Sequence, residues 1–271
     1  MNSGLIRKTA REMLPMALIL GLGLFGVELL FARILPTFYK EFSDSVLKLP
    51  FVQKILPAAL GLDPKQAIGP AMMMAIVWVH PVVLLLVWTM ALWAGTRVPV
   101  SEVDRGTIDV LMSLPVSRAG VFCTEAMVGL GAGAVVILMG LAGNAIGGWP
   151  LETELVGTVG QRLWVGLNLW ALYASVFAMA ALTSSMCDRR GRAIGAVVAM
   201  VIAAFVVGFL SAYSPLLKKI LFLSVLNYYR PLFILQHGIA PVRDVLILFA
   251  VGLVFWIVAA IVFARRDIRT V

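Results

Sequence analysis

Six long, mostly apolar runs constrain this chain more than any other feature; they lie at 14–35, 71–94, 121–146, 163–186, 193–212 and 245–264. About twenty such residues in a helix cross the hydrocarbon of a bilayer, and each run meets that length. The expected fold class is therefore all-α: a polytopic membrane protein with six transmembrane helices in a single domain over 1–271. The balance of residues agrees, since 61% are hydrophobic and 13% charged, with a mean hydropathy of +0.99, far more apolar than a soluble domain of this size needs. No small-residue cleavage site follows a short apolar core near the amino terminus, so the first run is expected to stay in the mature protein.

An even number of spans puts both termini on one side. Basic residues cluster at the amino terminus, across 97–118, at 188–192 and at 265–269, all on that side, which by the positive-inside rule is the cytoplasm. The opposite loops carry Lys40, Lys48, Lys54, Lys65, Lys218 and Lys219, but they are longer and dilute the signal. The net charge of +8 is thus expected to serve anionic lipid and topology, not nucleic acid. The two cysteines, Cys123 and Cys187, fall at cytoplasmic ends of spans and should be reduced and unpaired.

Between the spans the chain is amphipathic. Residues 3–14 mix Arg7, Lys8 and Arg11 with Leu5, Ile6 and Met13, the pattern of a helix lying on the inner surface. The outer loops, about 36–70 and 213–243, hold apolar stretches too short to span: a surface helix pair broken at Pro50 in the first, a re-entrant pair around Tyr228–Pro231 in the second. Glycines four apart, Gly129/Gly133, Gly143/Gly147 and Gly191/Gly195, suit close helix packing either within one subunit or across a dimer face.

The charged interruption 101–120, SEVDRGTIDVLMSLPVSRAG, separates two strongly apolar runs. Gly106 can end a preceding helix, Thr107 suits an N-cap, and Asp109 suits the first turn of a new helix. Pro115 disfavours helix at Leu114, so the element closes within about ten residues, too short to span. Ile108, Leu111 and Met112 share a face with Val110 and Leu114 behind them, an apolar surface that either sinks into the headgroup layer or is covered by a partner.

The string itself favours a partner. Glu102, Gly106, Thr107, Asp109, Leu111, Pro115, Val116, Ser117 and Arg118 resemble the E-x-x-x-G-T-x-[DE]-x-L-x-x-x-P-[VIL]-S-R signature of type-2 ATP-binding-cassette (ABC) permeases. The resemblance implies that about 107–114 is a cytoplasmic coupling helix, with Glu102, Gly106, Thr107, Asp109, Leu111, Met112, Pro115, Ser117 and Arg118 docking on a separate ATPase. It also implies an amino-terminal elbow helix at about 3–13, short outer helices capping the path, and a second permease subunit. One departure is visible: Thr124-Glu125 stand where family members commonly carry Gly-Lys.

Chemistry within the chain is sparse. No lysine follows a glycine, so the phosphate-cradling loop of an ATPase is absent and hydrolysis, with its ATP and magnesium, is expected in the partner subunit. No HExxH, CxxC or GxSxG occurs; no catalytic or metal site is expected, and no cofactor bound by this chain. Acidic or polar groups inside spans are candidates for function, which singles out Glu28 and His80 as possible pathway residues. Each also has a structural reading: Glu28 meeting Arg33 or snorkelling outward, His80 satisfying backbone groups freed by a kink at Pro81. Glu125 is expected to snorkel or meet Arg118, and Asn144 and Asn168 to bond between helices. Asp188, Arg189, Arg190 and Arg192 form a short loop that either makes a second contact with the ATPase or only sets topology.

The expected function is the permease subunit of an ATP-driven exporter in the plasma membrane. Two further classes fit parts of the pattern: a complex transmitting mechanical work to a periplasmic partner through the outer loops, and an ion-coupled secondary transporter using Glu28 and His80.

Overall fold

The computed structural model describes residues 3–45, 49, 70–107, 117–149, 151, 157–211 and 213–266. Every regular element among them is helical, and six helices are long and apolar enough to cross a membrane. The spanning helices are α1 (Ser3–Ser45), a pair α2 (Pro70–Val79) and α3 (Pro81–Gly95) that share one crossing, α4 (Arg118–Gly148), α5 (Val159–Met186), α6 (Arg190–Ser211) and α9 (Val242–Arg265). Two short helices, α7 (Pro215–Ile220) and α8 (Pro231–His237), lie between the last two spans.

The bundle is built around α5, which touches α3, α4, α6, α8 and α9 and buries most of its length, including Leu169, Leu172, Tyr173 and Val176. Lipid supplies no hydrophobic drive between spans, so their association rests on close packing and buried hydrogen bonds. Both are visible. Tyr173 donates to the Gly129 carbonyl (2.7 Å) and Ser175 to the Leu248 carbonyl (2.8 Å), fixing α5 to α4 and α9. A Cβ on Gly143 or Gly147 would come within 2.2 and 2.3 Å of the carbonyl oxygens of Phe25 and Leu29, so α1 and α4 approach almost backbone to backbone. This glycine pair serves packing inside one subunit.

Two boundaries differ from expectation. Residues 3–13, expected as a separate surface helix, are the first turns of α1, because Thr9 and Met13 are buried by protein instead of lying on lipid. At the other end α1 continues through Ser45, well into the expected first outer loop; the expected helix pair around Pro50 falls outside the described residues. At ~1.5 Å per residue the 43 residues of α1 reach about 64 Å, roughly twice the hydrocarbon thickness, so the helix projects beyond it.

The expected kink in the second span is a full break. His80 is extended (φ −58, ψ 134), as a residue before proline prefers, and Pro81 starts α3 with its φ already helical. The His80 ring accepts a hydrogen bond at Nδ1 from the Val82 amide (3.3 Å), satisfying an orphan donor as the structural reading of His80 requires. In the second outer segment α8 folds back onto α2 and α5. Asn168 on α5 donates to the Tyr228 carbonyl (3.0 Å) and accepts from the Arg230 amide (2.9 Å), while Tyr229 donates to the Trp78 carbonyl (3.0 Å). Asn168 thus holds this loop, where a partner on another span was expected.

Candidate coupling site

The path into the coupling segment is set by residues 96–107. Thr96 closes α3, its hydroxyl donating to the Leu92 carbonyl (2.6 Å). Val98, ahead of Pro99, is extended (φ −130, ψ 132), which breaks the helix and turns the chain through Arg97–Ser101. Val98, Val100 and Ser101 are buried, and the Val100 amide donates to Ser184 Oγ on α5 (3.1 Å). One helical turn, Glu102–Asp104, follows. Gly106 then takes the left-handed φ of +68, as its place in the motif predicts. Here the Thr107 amide donates to the Glu102 carbonyl (2.9 Å) and the Thr107 hydroxyl to the Glu102 carboxylate. Two residues of the motif are thereby bound to each other. Asp104, Arg105, Gly106 and Thr107 are exposed.

The chain returns at Ser117, whose Oγ accepts from the Gly120 amide (3.0 Å) and caps α4. Arg118 donates to the Arg266 carbonyl beyond the end of α9 (2.9 Å). Asp109, Leu111, Met112 and Pro115, with the expected helix at 107–114 apart from Thr107 itself, lie outside the described residues.

Three arginines lock the base of this loop to the bundle. Arg97 makes a forked pair with Glu125 on α4 (Nε to Oε2 2.9 Å, Nη2 to Oε1 3.0 Å) and reaches Glu12 on α1 with Nη1. Thr9 of α1 also donates to Glu125 Oε1 (3.0 Å). Burial works against the Arg97 charge, but the hydrogen bonds and charge of Glu125, then those of Glu12, outweigh it and hold the guanidinium more firmly protonated than usual. Arg190, at the start of α6, points back to donate to Thr96 Oγ1 (3.2 Å) and the Trp93 carbonyl (3.0 Å), and its amide meets Asp104 (3.4 Å). Arg266 donates to the carbonyls of Ser185 (3.0 Å) and Cys187 (2.9 Å) and pairs with Asp188. These carbonyls lie at or just beyond the C-terminal ends of α3 and α5, places suited to a cation.

Glu125 was expected at the headgroups or with Arg118; it is buried and belongs to Arg97. In the second loop Arg190 and Asp188 are occupied internally, while Arg189 and Arg192 are exposed. Glu28 is fully buried between α1 and α4, accepting from Asn144 Nδ2 (2.9 Å), which makes Asn144 the interhelical group expected of it. His80 is partly buried and packs edge-on against Phe31 (4.6 Å). The sequence reading missed Arg97, Glu12 and Arg266 as a set; the only signal was their place in basic clusters at span ends.

A helical bundle of six spans, with a short charged loop whose base is anchored by hydrogen bonds to four of them, defines a multi-pass membrane protein. Residues 14–268 match the sequence profile described as ABC-2 family transporter protein, and the chain belongs to that family. It is an ABC permease, a transport subunit and not itself a catalyst, and its family works with ABC ATPases. Among curated proteins no match is found.

Proposed function

We propose that this permease acts in the plasma membrane, with both termini cytoplasmic, as one of two permease subunits paired with two copies of a separate ATPase that binds ATP and magnesium. Export is the direction we propose. Segment 107–114 docks in the ATPase with Leu111 and Met112 buried at the contact, flanked by Glu102, Gly106, Asp109, Pro115, Ser117 and Arg118; Arg189 and Arg192 offer a lesser contact. Closure of the ATPase pair would displace this segment, and the spans would tilt between inward- and outward-open states.

One observation supports the reading: the residues leading into the segment are tied to α1 and α4 through Arg97, to α5 through Val100 and to α6 through Arg190, a set of contacts through which a displacement of the segment would reach those spans. Replacing Leu111 by Asp tests it. Burying Leu111 and Met112 contributes roughly 3–6 kcal/mol at about 1.5–3 kcal/mol each. A carboxylate forced into the contact should lower affinity for the ATPase about a hundredfold. Undiminished co-purification of the ATPase with Leu111→Asp at matched membrane expression would refute the docking role.

A further inference from the structure

Glu28 and Asn144 form the most deeply enclosed polar pair between two spans, and their hydrogen bonding is incomplete. Asn144 Nδ2 donates to Glu28 Oε2 at 2.9 Å. The second oxygen of each group, Glu28 Oε1 and Asn144 Oδ1, is buried and has no partner. Both orphans are acceptors if the carboxyl group is ionised, so adjusting their positions cannot satisfy one with the other. Among the described residues Asn144 is the side chain that bonds Glu28, and the rest of the immediate packing is apolar or aromatic. Leu24 and Gly140 pack beside the pair, Phe31 further along α1 meets the His80 ring edge-on, and Tyr229, within electrostatic reach of Glu28, donates its hydroxyl hydrogen bond to the Trp78 carbonyl.

A proton on one of the two partnerless oxygens would complete this pair. We propose that Glu28 is a membrane-embedded proton-binding site, carrying at neutral pH a proton on Oε1 that it donates to Asn144 Oδ1. The acid and the amide then close a ring of two hydrogen bonds, each group giving one and accepting one. Both orphans are satisfied, and no charge is buried between α1 and α4. The inference stands on the α1–α4 interface and is independent of the docking of 107–114.

Infrared difference spectroscopy of the full-length permease in lipid at neutral pH tests the site. The expected result is a protonated-carboxyl carbonyl band that shifts in D2O and is lost in Glu28→Gln, with Glu28→Gln folding as well as the wild type because its amide can form the same ring. In Asn144→Leu the acid loses its partner, so the band should move to the higher frequency of a free carboxylic acid. That second variant decides the matter if Glu28→Gln proves unstable. A wild-type spectrum with no such band, or one whose band is unmoved in Asn144→Leu, overturns the proposal.

Discussion

Replacing Arg97 by Met would leave the Glu125 carboxylate buried with a single hydroxyl, that of Thr9, as its hydrogen-bond partner. The side chains of Arg97 and Glu125 are 14% and 8% exposed, so water cannot take over the lost contacts. Breaking a buried ion pair from one side costs about 3–5 kcal/mol, most of it the penalty of the stranded charge. The Glu12 arm, with that carboxylate 43% exposed, adds little to this. Removing both charges, as Arg97→Met with Glu125→Gln, should therefore recover most of the loss, because the pair as a whole contributes little net stability. The interaction energy from the double-mutant cycle should be about 2–3 kcal/mol. Equilibrium unfolding in mixed micelles supplies the four stabilities, with exposed Arg189→Met as a control expected within about 0.5 kcal/mol of wild type. The reasoning fails if Arg97→Met costs no more than Arg189→Met, or if adding Glu125→Gln deepens the loss instead of relieving it.

Two further outcomes follow from packing and exposure. Gly143→Ala should separate α1 from α4 and lower stability by more than about 2 kcal/mol, while Gly195→Ala, whose added methyl meets open space, should be neutral in the same unfolding assay. In a background lacking Cys123 and Cys187, a cysteine at the exposed Arg105 should react with an impermeant maleimide only after cells are permeabilised, and one at the exposed Leu216 should react in intact cells; the reverse pattern would invert the topology.

The spans were legible because lipid imposes one requirement, length with apolarity, that is written locally in the chain. A disruption at His80-Pro81 was legible for the same reason, since proline acts on its immediate neighbours, though as a kink and not as the full break that separates α2 from α3. The extent of α1 was not: residues 3–13 read as a surface helix because three basic residues stand out, whereas what keeps them in line with the span is burial of Thr9 against Glu125, 116 positions away. Charged residues at span ends present the same ambiguity. Arg97, Arg118, Arg190 and Arg266 look alike as topology signals, and only the folded bundle shows that Arg97 meets carboxylates, that Arg118 and Arg190 reach carbonyl oxygens, and that Arg266 does both. The motif at Glu102–Arg118 was read by resemblance; its described ends are a left-handed Gly106 and a Ser117 that caps α4, and the helix expected between them falls outside the described residues.

The central claim is that 107–114 is covered by an ATPase subunit and not by lipid. Amide hydrogen exchange over 108–114, measured on the permease in lipid nanodiscs with and without the ATPase, addresses it directly. The account predicts rapid exchange in the lipid-embedded permease alone and at least tenfold slowing when the ATPase binds, equivalent to about 1.4 kcal/mol or more of added local protection. Full protection in lipid alone, unchanged by the ATPase, would contradict it.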